Sequence, residues 1–155
     1  MTVIRFHANP DPALRRSGDC IEAHQHRVAL LIYAMTAPDM PSPELIRAAL
    51  HHDEAERIMG DWPGPLLDRF PWLAPVKHRL ELECMAALGI APFKLEPHEA
   101  DMLDIADKAD AWRWSVQHGQ GHTDEWRQAK AKLFQAAWAA GLGAWWEEFA
   151  KEAEG

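Results

Sequence analysis

Residues 19–35 read DCIEAHQHRVALLIYAM, and their spacing decides the fold. Ile21, His24, Val28, Leu31 and Met35 recur at intervals of three and four, the repeat that lines one face of an α-helix. Asp19, followed three residues on by Glu22, has the form of a capping box, so the spacing predicts a helix starting at Asp19. His24 falls inside the apolar stripe and points at the core. His26 is rotated from it by about 200° and faces elsewhere. Taken alone, His24 reads as a buried histidine held by one hydrogen bond. Its meaning depends on what the other helices bring to it.

Those helices are legible in turn. Ser42-Pro43-Glu44 supplies an N-cap serine and a first-turn proline, and the helix it opens carries Leu45, Ala49, His52 and Glu56 on one face. Gly60 to Pro65 break it into a loop. A third helix fits the stripe Leu73, Val76, Leu80, Cys84 and Ala87, ending near Gly89. A fourth starts around Pro97 and passes through Leu103, Ala106 and Ala109 towards Val116. HGQGH at 118–122 is a loop, and Asp124 to about Ala150 forms one or two helices broken at Gly141-Leu142-Gly143. No sustained alternation or Asn-Gly hairpin signal appears. The expectation is an all-α chain with residues 1–155 as one domain, a compact bundle of about six helices.

Composition narrows the function classes. A formal net charge of −8 disfavours a nucleic-acid polymer as partner, because phosphate neutralisation needs a basic face. No apolar run approaches the roughly 18 residues of a membrane span, and the start MTVIRFHANPDP has no apolar signal segment. With Cys20 and Cys84 read as reduced, structural thiols, a cytoplasmic location is expected. Trp112, Trp114, Trp126, Trp138, Trp145 and Trp146 crowd the C-terminal helices, where a core or subunit-interface role leads to an expected homo-oligomer.

Nine histidines are many for 155 residues. His52 repeats the position of His24 on a second apolar face, and Asp53 follows it directly. A buried carboxylate needs a cation or several donors, and one divalent ion held by imidazoles and carboxylates would satisfy all these burials together. A further carboxylate is then expected from EADMLDIADKADAWRW, where Asp101, Asp104, Asp107 and Asp110 lie three apart. Asp101 and Asp104 read as a solvated face. Spacing alone does not separate Asp107 from Asp110. His78, His98, His118 and His122 are too scattered to suggest a second metal.

At this point the chain resembles the HD-domain metal-dependent phosphohydrolases. AALHHDEAERIMGDWPGP is similar to an extended motif of their 5'-deoxynucleotidase branch, IEAHQHRVALL to that branch's first histidine segment, and LDIADKADAW to the helix carrying its last metal aspartate. The resemblance spans roughly residues 15–115. It implies metal ligands His24, His52, Asp53 and Asp107, holding one divalent transition ion (Co, Mn, Zn, Fe or Ni), with Mg an option for a triphosphate substrate. It further implies that Glu56 serves acid–base chemistry at the scissile phosphate and that Asp61 lies near the sugar. Trp62 would line the nucleoside pocket, and Arg15, Arg16 or Arg69 would hold phosphate.

The chain departs from the family's pattern at two places: Ala23 stands where a glutamate is usual, and Leu66 and Leu67 follow Pro65 where a lysine is common. The implied activity is hydrolysis of a small-molecule nucleotide, as a 5'-deoxynucleotidase on monophosphates or as a triphosphohydrolase releasing tripolyphosphate, in the manner of small viral dATP-hydrolysing members. The alternatives are hydrolysis of a signalling nucleotide and a non-catalytic metal-binding HD module.

Overall fold

The computed structural model describes residues 3–60, 62 and 64–155, without the side chains of residues 64, 65 and 68. Helices α1 (Pro12–Arg15), α2 (Ile21–Thr36), α3 (Pro43–His51), α4 (Glu56–Met59), α5 (Gly64–Arg69), α6 (Leu73–Ala87), α7 (Pro97–His118), α8 (Asp124–Ala139) and α9 (Gly143–Glu154) follow in order. Two of them, α1 and α4, are single turns of four residues. No strand occurs among the described residues, so the all-α expectation holds, and one isolated antiparallel bridge joins Ile4 to Cys20.

The 22-residue α7 is the axis of the molecule. On one side it packs against α2 and α3, and on the other against α8 and α9. Ala49 of α3 and Ala106 and Ala109 of α7 are fully buried among Val28, Ile32, Leu45 and Ile105. Methyl-sized side chains at those positions let three backbones approach closely, which brings polar groups on facing helices within reach of one another. On the far side Trp112 and Trp146, with ring centroids 5.4 Å apart, fill the space beneath Phe149. These tryptophans are core, while Trp138 of α8 stays 52% exposed.

The helix starts and stops follow local chemistry. Ser42 accepts a hydrogen bond from the Leu45 N–H at 3.1 Å, as its N-cap position predicts. Glu96 and Glu99 form a capping box at the head of α7. The break before α9 needs glycine twice: Gly141 has φ +76°, and a Cβ on Gly143 would sit 2.5 Å from the Trp138 ring.

Three expectations are corrected. The first long helix begins at Ile21, with Cys20 as N-cap, because the Asp19 carboxylate is buried and taken by Arg5 and Arg27. Glu22 accordingly makes no capping box and accepts from Arg57 at 2.8 Å. The second helix stops at His51, and a turn over residues 52–55 separates it from α4. The third helix exists, but its apolar stripe is not core: Met85 is its one buried side chain, and Val76 and Leu80 are exposed.

Candidate metal centre

His24 projects from α2, Asp107 from α7, and His52 with Asp53 from the turn that ends α3. The four converge, with one ligand atom from each lying within 4.8 Å of all the others. His24 Nε2 is 3.0 Å from Asp107 Oδ1 and 3.5 Å from Asp53 Oδ2. His52 Nε2 is 3.3 Å from Asp53 Oδ2 and 3.9 Å from Asp107 Oδ1. Yet both Nε2 atoms are buried and make no hydrogen bond. Buried polar atoms without partners are rare because each costs its full desolvation, so the approach of two imidazoles and two carboxylates fits a cation between them.

The opposite edge of each ring supports the same reading. His24 Nδ1 lies 2.8 Å from Asp110 Oδ2, and His52 Nδ1 lies 2.9 Å from the Ala49 carbonyl. An Nδ1–H donated to these acceptors leaves the Nε2 lone pair of each ring pointing into the cluster, the tautomer a metal ligand requires. Asp110 is itself fixed. Arg27 donates to both its oxygens, from Nε to Oδ1 at 2.9 Å and from Nη2 to Oδ2 at 2.9 Å, and Arg113 adds a further contact at 3.1 Å. The Arg27 guanidinium also donates to Asp19 at 2.8 Å and lies 4.3 Å over the Trp114 ring.

Electrostatics follow from this crowding. Burial opposes a charged His52, but the carboxylates of Asp53 and Asp107 outweigh it and raise the imidazole to about 9. Burial likewise works against the Asp107 carboxylate, and the two histidines overcome it, holding the group well below the usual range. Asp110 is shifted down against its burial by His24 and Arg27.

Spacing left Asp107 and Asp110 open as the carboxylate that joins the histidines, and the geometry brings Asp107 into the cluster. Asp107 faces the cluster, Asp110 braces His24 from behind, exposed Asp104 pairs with Lys108, and Asp101 is exposed. His26 is also exposed, as its rotation predicts. Glu56 is buried at the head of α4. Trp62 is half-buried in the loop that follows, and Asp61 lies outside the described residues. Among the described residues no second group of three or more potential ligands accompanies the first.

Arg15 and Arg16 are exposed at α1, and exposed Arg69 lies against Phe70 at 5.7 Å. Arg5 is the one that reaches the cluster, donating to Asp19 at 3.1 Å and lying 4.0 Å from Asp107 and 3.9 Å from Asp110. Phe6, next to it, has φ +59°, a conformation costly for an aromatic residue and of the kind that gathers at functional sites. No spacing rule finds Arg5, because the Ile4–Cys20 bridge that delivers it is a tertiary contact. Lys77 of α6 was also missed. Burial works against its charge, but its bond to Glu81 and the fields of Glu56 and Asp53 raise its pKa. A lysine whose charge couples to Asp53 and Glu56 thus comes from α6, although none stands directly after Pro65. No spacing in the sequence marks it, because its neighbours Val76 and Leu80 read as an apolar stripe that the structure leaves exposed.

A cavity of about 240 Å³ opens beside His52 and Asp107, walled by Leu95, Ala100, Leu103 and Asp104. No family model, curated protein or solved structure matches the chain.

Proposed function

We propose that this protein is a metal-dependent phosphohydrolase of deoxynucleotides, of the HD-domain kind. The observation that carries the reading is the pair of buried imidazole Nε2 atoms that lack hydrogen-bond partners and face two carboxylates. Two nitrogen and two oxygen donors suit a first-row transition ion better than calcium or magnesium, which prefer all-oxygen sets. His24, His52, Asp53 and Asp107 would hold that ion. Bound there, it would supply an acidified water and polarise a phosphoryl oxygen.

The chain's own residues supply the rest. Arg5 presents a guanidinium at the rim, where planar donors match phosphate oxygens. Lys77 adds a second positive charge near Glu56. These two cations give an anionic substrate a place to dock on a chain of net charge −8. Glu56, at the head of α4, exchanges a proton at the scissile phosphate in this reading. Asp61 and Trp62 take the sugar side, which rests on the resemblance of the GDWPGP loop alone. The cavity beside His52 and Asp107 offers an apolar wall for the organic part of the substrate.

The test is turnover with product identification. Protein loaded with cobalt or manganese is given deoxy- and ribonucleoside mono- and triphosphates, and phosphate, pyrophosphate and tripolyphosphate are resolved. The reading expects a stoichiometric ion and hydrolysis of deoxynucleotides that His52→Ala abolishes. Phosphate released from monophosphates identifies a nucleotidase, and tripolyphosphate identifies a triphosphohydrolase. A loaded protein that hydrolyses none of them overturns the proposal.

A further inference from the structure

Helices α6 and α7 are joined by a stretch, residues 90–96, that is neither helix nor turn. A chain without a hydrogen-bond ladder of its own takes its position from bonds to its neighbours. Among the described residues, the hydrogen bonds that tie 91–95 to another element all end on two half-buried side chains of α3, Glu44 and Arg47. Arg47 donates from Nη1 to the Ala91 carbonyl at 3.0 Å and from Nη2 to the Pro92 carbonyl at 3.2 Å. Its guanidinium lies 4.8 Å over the Phe93 ring. Glu44 accepts from the Lys94 N–H at 2.8 Å and from Arg47 Nε at 3.0 Å, which closes the clasp. The rigid fork of an arginine suits this task, since it serves two carbonyls and a carboxylate in one plane.

What the clasp holds is a wall. Leu95, the next residue, lines the cavity beside His52 and Asp107. Ala100, Leu103, Asp104 and Asp107 reach that cavity from α7, and His52 is fixed by its bond to the Ala49 carbonyl. Leu95 alone depends on the 90–96 stretch. Glu44 and Arg47 belong to the helix that His52 and Asp53 follow directly, so the clasp sets this wall relative to the candidate ligands. We propose that Glu44 and Arg47 are positioning residues for the substrate, holding Leu95 in place before the organic group of the nucleotide arrives. The inference rests on the function proposed above, which puts that group in this cavity. A wall ordered beforehand spares binding the cost of ordering it. The effect therefore falls on affinity and leaves the chemical step, which belongs to the histidine–aspartate side, unchanged.

The test joins steady-state kinetics, on the deoxynucleotide that the cobalt- or manganese-loaded wild type turns over, to amide hydrogen exchange. In Arg47→Ala the Lys94 amide should exchange about tenfold faster, as a locally released segment does. KM should rise about tenfold with kcat within about twofold, the pattern of lost uniform binding. Helical circular dichroism and bound metal should match the wild type. Glu44→Gln, which keeps the shape and drops the charge, should move both readouts the same way by less. Leu95→Ala should raise KM by itself, and Arg47→Ala should add little to it, because the clasp acts through that side chain. Arg79→Ala, which removes only an exposed ion pair on α6, is the control and should move neither KM nor exchange. An unchanged KM in Arg47→Ala, or Arg47 and Leu95 effects that multiply, overturns this inference and leaves the phosphohydrolase reading standing. A loaded wild type that turns over no nucleotide overturns that reading, and this inference with it.

Discussion

At the scale of single residues, the decisive pair is Asp107 and Asp110, one turn apart on α7 with opposite duties. In the proposed centre Asp107→Asn replaces an anionic carboxylate donor by a neutral amide and should abolish stoichiometric metal. Asp110→Asn leaves the donor set intact but weakens the acceptor that fixes the His24 ring, so metal affinity should fall about 10- to 100-fold. Chelator competition measures both, and nitrogen NMR of the His24 ring reads its tautomer directly. Asp104→Asn, which changes only an exposed pair with Lys108, is the control and should alter neither. Equal losses in the Asp104 and Asp110 variants would remove the bracing role.

The His52 proton sets the pH dependence. Its pKa in the metal-free fold is raised to about 9 from 6.5. The stabilisation from its carboxylate partners is therefore complete below pH 6.5 and fades as pH rises through about 9. An incoming ion must displace that proton, so apparent metal affinity should climb about tenfold per pH unit between those values and then level off. A flat affinity profile across that interval would show that His52 is not a ligand.

Among elements, the spacing between α2, α3 and α7 governs the centre. Ala106 is fully buried where α7 approaches its neighbours. Ala106→Leu should cost about 1–3 kcal/mol by overpacking, lowering the denaturation midpoint and pushing Asp107 away from His24. The loss of metal affinity should then exceed that of an equally destabilising change on the α8–α9 side. Equal effects from the two sides would mean that helix spacing does not tune the site.

Element by element, the sequence was legible where an apolar period met a real core. The stripe through His24 and the Ser42 cap were readable because both are local. The end of α3 was not, since no breaker residue marks it and the turn at 52–55 satisfies its backbone through short local bonds, from the Glu54 N–H to the His51 carbonyl at 3.1 Å and from the Glu56 N–H to the Asp53 carbonyl at 2.9 Å. Nor was the exposure of α6, because a stripe reports that a face is apolar and is silent on what covers it. Asp19 misled for a related reason: its capping pattern is sound locally, but two arginines from elsewhere outbid the helix for its carboxylate.

For the whole molecule, no helix among the described residues is long and apolar enough to cross a membrane. Its organisation is a rigid axis with two unequal sides: α8 and α9 give α7 an aromatic core, while α2 and α3 bring polar groups to its other face. Of the candidate site, the four converging residues were readable from one-dimensional periodicity and resemblance. Arg5, Arg27 and Lys77 were not, because each acts through a contact between segments distant in sequence.

The N-terminal segment has a consequence of its own. It is fastened at one end by the Arg5 N–H to the Asp19 carbonyl at 3.0 Å and the Ile21 N–H to the Val3 carbonyl at 3.2 Å. Its other fastening is Asp11, which accepts from the Gln120 N–H at 2.6 Å. Releasing this strap breaks these bonds and the buried Arg5–Asp19 ion pair at 3.1 Å, but none of the packing among α2, α3 and α7, so it should open in a local equilibrium separate from global unfolding. The guanidinium at the rim thus belongs to a part that can come undone while the histidines and aspartates stay in place. Occupancy of the rim and integrity of the histidine–aspartate cluster are two thermodynamic quantities, adjustable one without the other.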